Sequence, residues 1–101
     1  MTIFIVGPMI GQENNNIKEF QQAQKLAWQK EFECYAPPLI LKKIDPKNLP
    51  DLKKSLVKLM TESDMIVTLP TWHEDSLCVD LVQIARLMEI PVNAYTYLTK
   101  N

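Results

Sequence analysis

Glycine is nearly absent from this chain: 101 residues hold only Gly7 and Gly11. Soluble domains average about 7% glycine, so glycine-rich linkers are excluded and the single place where both glycines stand is marked. Cysteine is equally scarce. Cys34 and Cys78 lie far apart and form no metal-ligand spacing with His73, the one histidine. That excludes a zinc finger or a disulfide scaffold, and the pair reads as buried thiols of a reducing cytoplasm. Neither sign of charge is in excess: eleven Lys and Arg against twelve Asp and Glu leave a net −1, which gives no electrostatic footprint for nucleic acid. No apolar run nears the ~20 residues of a membrane span, and the first residues lack the charged start and cleavage site of a signal peptide. The expectation is a cytoplasmic protein with no metal, no cofactor, and no nucleic-acid or membrane contact.

What is present is apolar and patterned. With 47% hydrophobic and 23% charged residues, the chain reads as one globular domain over residues 1–101 with a modest core. Thr2-Ile3-Phe4-Ile5-Val6 is a continuous apolar run with β-branched members, as in a strand covered on both faces. A loop over residues 7–15 follows, and Asn15 or Asn16 is placed to cap a helix over residues 17–31. Phe20, Ala23 and Ala27, with Leu26 one turn off, keep helical spacing there. Residues 32–36 form a second strand, stopped by Pro37-Pro38. Residues 39–50, with Pro46 and Pro50, read as a long excursion. A helix over residues 51–63 presents Leu52, Leu56, Leu59 and Met60 on one side. Residues 65–69 are the third strand, residues 76–89 the last long helix, and residues 91–95 the fourth strand.

The alternation predicts an α/β fold: a three-layer α/β/α sandwich around a mainly parallel sheet of four to five strands, Rossmann-like in arrangement. Ligands of such sheets bind outside the carboxyl ends of the strands. Residues 7–11, 37–44 and 70–75 reach that edge. Gly7, Pro8, Met9 and Gly11 let the backbone turn and let a ligand approach the main chain, whose amides attract anions; the alternative is a tight strand-to-helix connection. Trp72 can stack on a nucleobase or lie as a lid on the core, and His73 beside it reads as a base or as a surface loop residue. Glu74 and Asp75 read as acid groups or as helix caps: Thr71-x-x-Glu74 fits a capping box, and Asp75 or Ser76 is a good N-cap. Tyr35 faces either the core or the same pocket. Lys42 and Lys43 read as phosphate contacts or as solvated charge. The last helix carries Leu77, Cys78, Leu81, Val82, Ile84, Ala85 and Met88, with Val79 and Leu87 widening the apolar arc. Burial on more than one side is expected of it, hence a homodimer or higher homo-oligomer.

Taken in order, several of these segments resemble the nucleoside 2-deoxyribosyltransferase-like family, in particular its short phage and bacterial branch. They are the apolar strand followed by Gly7-Pro8-Met9, the helix with Phe and Ala, and Phe32-Glu33-Cys34-Tyr35-Ala36-Pro37. Ser63-Asp64-Met65-Ile66-Val67, Leu69-Pro70-Thr71-Trp72 and Ile90-Pro91-Val92 complete the set, so nearly the whole chain is covered. The resemblance implies that the strand-end loops bind a nucleoside or nucleotide, with Gly7, Pro8, Met9 and Gly11 on one side and Trp72, His73, Asp75 and Ser76 on the other. It also implies N-glycosidic cleavage by a glutamate nucleophile on the last helix. Here the pattern departs: Leu77-Cys78-Val79 replace the family's Gly-Ala step, and the glutamate position falls on Val82 counted from Ser76, or on Leu81 counted back from Pro91. The nearest acid is Asp80, the candidate nucleophile if there is turnover; at 100° per residue it lies beside Gln83 on the polar arc, where a solvated helix acid is the other reading. The expected function is therefore binding of a nucleotide or nucleotide-derived molecule without turnover, in a phage setting sequestration of a bacterial defence signal. The alternatives are an N-glycosidase or deoxyribosyltransferase using Asp80, and a small interaction module with a vestigial pocket.

Overall fold

The computed structural model describes residues 1–41 and 46–100. Four strands, β1 (Thr2–Val6), β2 (Glu33–Tyr35), β3 (Met65–Thr68) and β4 (Val92–Ala94), pair in the order β2-β1-β3-β4. Every pairing is parallel, with Ile3 opposite Cys34 on one side and Met65 on the other. β1 and β3 form the centre because their side chains are apolar at successive positions, not alternate ones. Ile3 to Val6 and Met65 to Thr68 are all buried, which requires cover on both faces of the sheet.

The cover comes from helices α1 (Ile17–Gln29), α3 (Leu49–Thr61) and α4 (Ser76–Leu87), with two single-turn helices, α2 (Pro37–Ile40) and α5 (Thr96–Thr99). α1 packs with α5, and α3 with α4, as right-handed crossovers on the two sides of β1 demand. Each long helix buries one stripe: Phe20, Ala23 and Ala27 on α1, and Leu52, Leu56 and Met60 on α3. On α4 the buried stripe is Leu77, Cys78, Leu81, Val82 and Ala85, while Leu87 is 85% exposed and Met88 43% exposed. The wide apolar arc of this helix is thus only partly covered by its own chain. Together these residues make the three-layer α/β/α sandwich expected of the alternating pattern.

Local differences from the sequence reading have physical causes. α3 starts at Leu49 rather than residue 51, because Pro50 sits in the first turn, where its missing N–H costs nothing. α2 starts at Pro37, where the second strand was expected to stop, and ends inside the segment read as an excursion, which also holds a 3-10 turn at Pro46–Asn48. α1 ends at Gln29, and Glu31 adopts a φ of 63° that no helix continues. No helix among the described residues is long and apolar enough to cross a membrane.

Candidate functional site

The strand order reverses direction between β1 and β3: the chain leaves β1 towards β2, then crosses back to β3. Loops leaving β1 and β3 consequently diverge in their helical connections while their starting points stay adjacent, and a crevice at the carboxyl edge is the usual outcome. Here the starting points are tied together. The Leu69 N–H donates to the Val6 carbonyl at 2.8 Å, extending the ladder one residue beyond β3 and laying the Leu69 side chain over Gly7. A Cβ on Gly7 would stand 2.4 Å from Leu69 Cδ1. The close approach that glycine permits at this position is therefore filled by the protein itself.

The remainder of the first loop is packed down. Gly7, Pro8 and Met9 are buried, Met9 as a member of the core, while Gly11 is exposed and turns at a φ of 79°. Asn14, Asn15 and Asn16 then take three consecutive left-handed conformations, which asparagine tolerates better than other side-chain-bearing residues. Asn16 stands at the N-cap position of α1, yet its side chain does not cap. Its Nδ2 donates instead to the Pro8 carbonyl and to Glu19 Oε2, each at 3.1 Å, pinning the loop to the first turn of the helix.

The loop after β3 is held by a different device. Thr71 has a φ of 68° and makes no side-chain cap, so the Thr71–Glu74 capping box does not form; Glu74 N–H bonds the Thr71 carbonyl through the main chain. Asp75 is the N-cap of α4, accepting from Cys78 N–H at 3.0 Å. Burial, then the hydrogen bond with Asp75 and its charge, push the Cys78 thiol above its ordinary value. Trp72 is half-buried against the core, with the exposed His73 imidazole edge-on at 6.0 Å. Glu74 and Ser76 are exposed. Tyr35, at the end of β2, is half-buried against the core. Lys42 and Lys43 lie outside the described residues. A family profile described as Domain of unknown function (DUF4406) matches residues 1–93. The chain belongs to the DUF4406 family. No curated protein matches it.

Open space at this edge lies along the N-terminal half of α1. A cavity of about 580 Å³ is lined by residues including Gln12, Asn14, Asn16, Glu19 and Gln21. A second, half-open space of about 190 Å³ is lined by Glu19, Gln22, Leu69, Pro70 and Tyr95. Burial first, and then the Glu19 charge, raise the Tyr95 phenol above its ordinary value, so it stays protonated. Glu19, Gln22 and Tyr95 are absent from the sequence reading. The signal available for Tyr95 was its place at the end of residues 91–95, read as the fourth strand, and so at the same carboxyl edge as residues 7–11, 37–44 and 70–75; the observed β4 ends one residue earlier, at Ala94.

Asp80 stands on the second turn of α4 and points to α3, where Lys53 Nζ donates to its Oδ2 at 3.2 Å. Both side chains are nearly half exposed. The geometry gives Asp80 the role of a helix-to-helix ion pair at the flank of the α3–α4 layer. Among the described residues no three His, Cys, Asp or Glu side chains converge as a metal site.

Proposed function

We propose that this chain binds a nucleotide or nucleotide-derived small molecule at the carboxyl edge of its sheet and releases it unchanged. The observation that carries the reading is the pair of adjoining cavities at that edge, which share Glu19 and together reach from the loop after β1 to the exits of β3 and β4. Support comes from the strand reversal between β1 and β3 and from the half-buried Trp72 on the neighbouring loop. The absence of turnover is supported by the engagement of two acids of the last helix, neither of which lines either cavity: Asp75 caps α4 and Asp80 pairs with Lys53. Exposed Leu87 and Met88 at the end of α4 support assembly through a second copy of the chain, which sedimentation at several concentrations tests.

The deciding experiment incubates the pure protein with nucleosides, deoxynucleotides, cyclic nucleotides and ADP-ribose. Thermal shift, release of free base and recovery of intact ligand are then measured. Stabilisation with full recovery is the expected result. Release of free base that is lost on Asp80→Asn would replace this reading with glycosidic cleavage. No shift with any member would leave an interaction module.

A further inference from the structure

The smaller cavity differs from the larger in shape and chemistry. Pockets that enclose a whole ligand run from about 300 Å³ upward, so a space of about 190 Å³ accommodates one ring, with the rest of a ligand extending outside. The exposed Pro70 ring, just beyond β3, supplies a hydrocarbon surface against which the C–H face of a saturated ring can lie, with the buried Leu69 also in the lining. The polar groups come from two other elements: Glu19 and Gln22 from α1, and Tyr95 from the exit of β4. The Glu19 carboxylate is oriented by Asn16 Nδ2, which donates to Oε2 at 3.1 Å. Tyr95 keeps its proton and is available as a donor.

We propose that this cavity seats the ribose of a nucleotide-type ligand, with Glu19 accepting both hydroxyls of a 2′,3′-diol. An ionised carboxylate only accepts hydrogen bonds, through two oxygens, and two adjacent sugar O–H groups match it as donors. The Tyr95 hydroxyl donates to a sugar oxygen, and the Gln22 amide can satisfy either kind of partner. A phosphate is the wrong occupant, since Glu19 would face it with like charge; phosphates of a bound nucleotide extend out of this space. A 2′-deoxy sugar leaves one carboxylate acceptor without its donor. Glu19 is therefore a specificity-determining residue that selects ribose over deoxyribose. This inference rests on the proposed binding of nucleotide-type ligands at this edge.

The test is isothermal titration calorimetry of the full chain with adenosine, uridine, their 2′-deoxy counterparts and the 5′-monophosphates of all four. Loss of a hydrogen bond to a charged group predicts that each ribo ligand binds at least about tenfold more tightly than its deoxy counterpart. Glu19→Gln, at an exposed position, should erase most of that ratio while leaving the circular dichroism spectrum unchanged. Tyr95→Phe should weaken ribo and deoxy ligands together. Equal affinity for the ribo and deoxy pairs in the native protein, or a ratio that survives Glu19→Gln, would overturn the diol assignment while the binding function stood. No binding by any of the eight ligands would overturn both.

Discussion

Gly7 is the position where a single added carbon is most informative. Its φ is not left-handed, so alanine meets no backbone penalty there, and the reduced freedom of the unfolded chain would stabilise the protein by about 0.4–1 kcal/mol. Against this, the new Cβ would stand 2.4 Å from Leu69 Cδ1, 2.9 Å from Cγ and 3.0 Å from Cβ. The clash involves the body of the side chain as well as its tip, and Leu69 is 1% exposed with no free direction to move. Overpacking of this kind costs about 1–3 kcal/mol, so Gly7→Ala should destabilise by a net ~1–2 kcal/mol. For a chain of this size that lowers the melting temperature by about 4–16 °C. Leu69→Ala alone should cost about 2–5 kcal/mol by leaving a void. The double variant removes Cδ1 and Cγ, the atoms of closest approach, and should be more stable than the sum of the two single effects by about 1 kcal/mol. Urea unfolding of all four proteins measures this coupling. Strict additivity, within about 0.5 kcal/mol, would refute the contact and return Gly7 to the role of a ligand-facing residue.

The other expectations follow from contacts already described. Asp75→Ala should destabilise by about 0.5–2 kcal/mol through loss of the α4 cap, with Asp75→Asn costing less, both read by urea unfolding. Asp80→Asn should cost under about 1 kcal/mol, because both partners are nearly half exposed, and the difference should shrink in high salt. Burial pushes the Cys34 thiol from 9.0 up to about 12 and raises Cys78 as well. Both thiols should therefore resist iodoacetamide at pH 8 until the chain unfolds. Because these folded values are raised, the stabilisation is complete below pH 9 and declines as the pH climbs towards 12. A stability curve that rose over that range would contradict the burial of the thiols.

The parallel sheet was legible because β1 and β3 carry unbroken apolar runs, Ile3 to Val6 and Met65 to Val67, and because Phe20, Ala23 and Ala27 mark one face of α1. Those patterns are local, and burial followed them. The single-turn helices α2 and α5 carry too few residues for any periodicity to register. The left-handed run at Asn14–Asn16 was visible only as an odd composition. Asp75 was legible as a cap because that chemistry spans three residues; its bond to Cys78 N–H is as local as the pattern that foretold it. The contact between Gly7 and Leu69 and the grouping of Glu19, Gln22 and Tyr95 join residues far apart in the chain. No spacing encodes them, and they emerge only once the strand order is fixed.

Both margins of the sheet are brief. β2 and β4 offer three residues each, with Pro37 soon after the one and Pro91 immediately before the other, and Glu33 sits within β2. A foreign strand arriving at either margin finds a template too short to hold it, interrupted by residues that cannot donate or that carry charge. Lateral growth into fibrous aggregates is thereby discouraged at both ends of the layer. Association with a second copy is then favoured through the helix layers, where Leu87 and Met88 stand exposed, side chain against side chain.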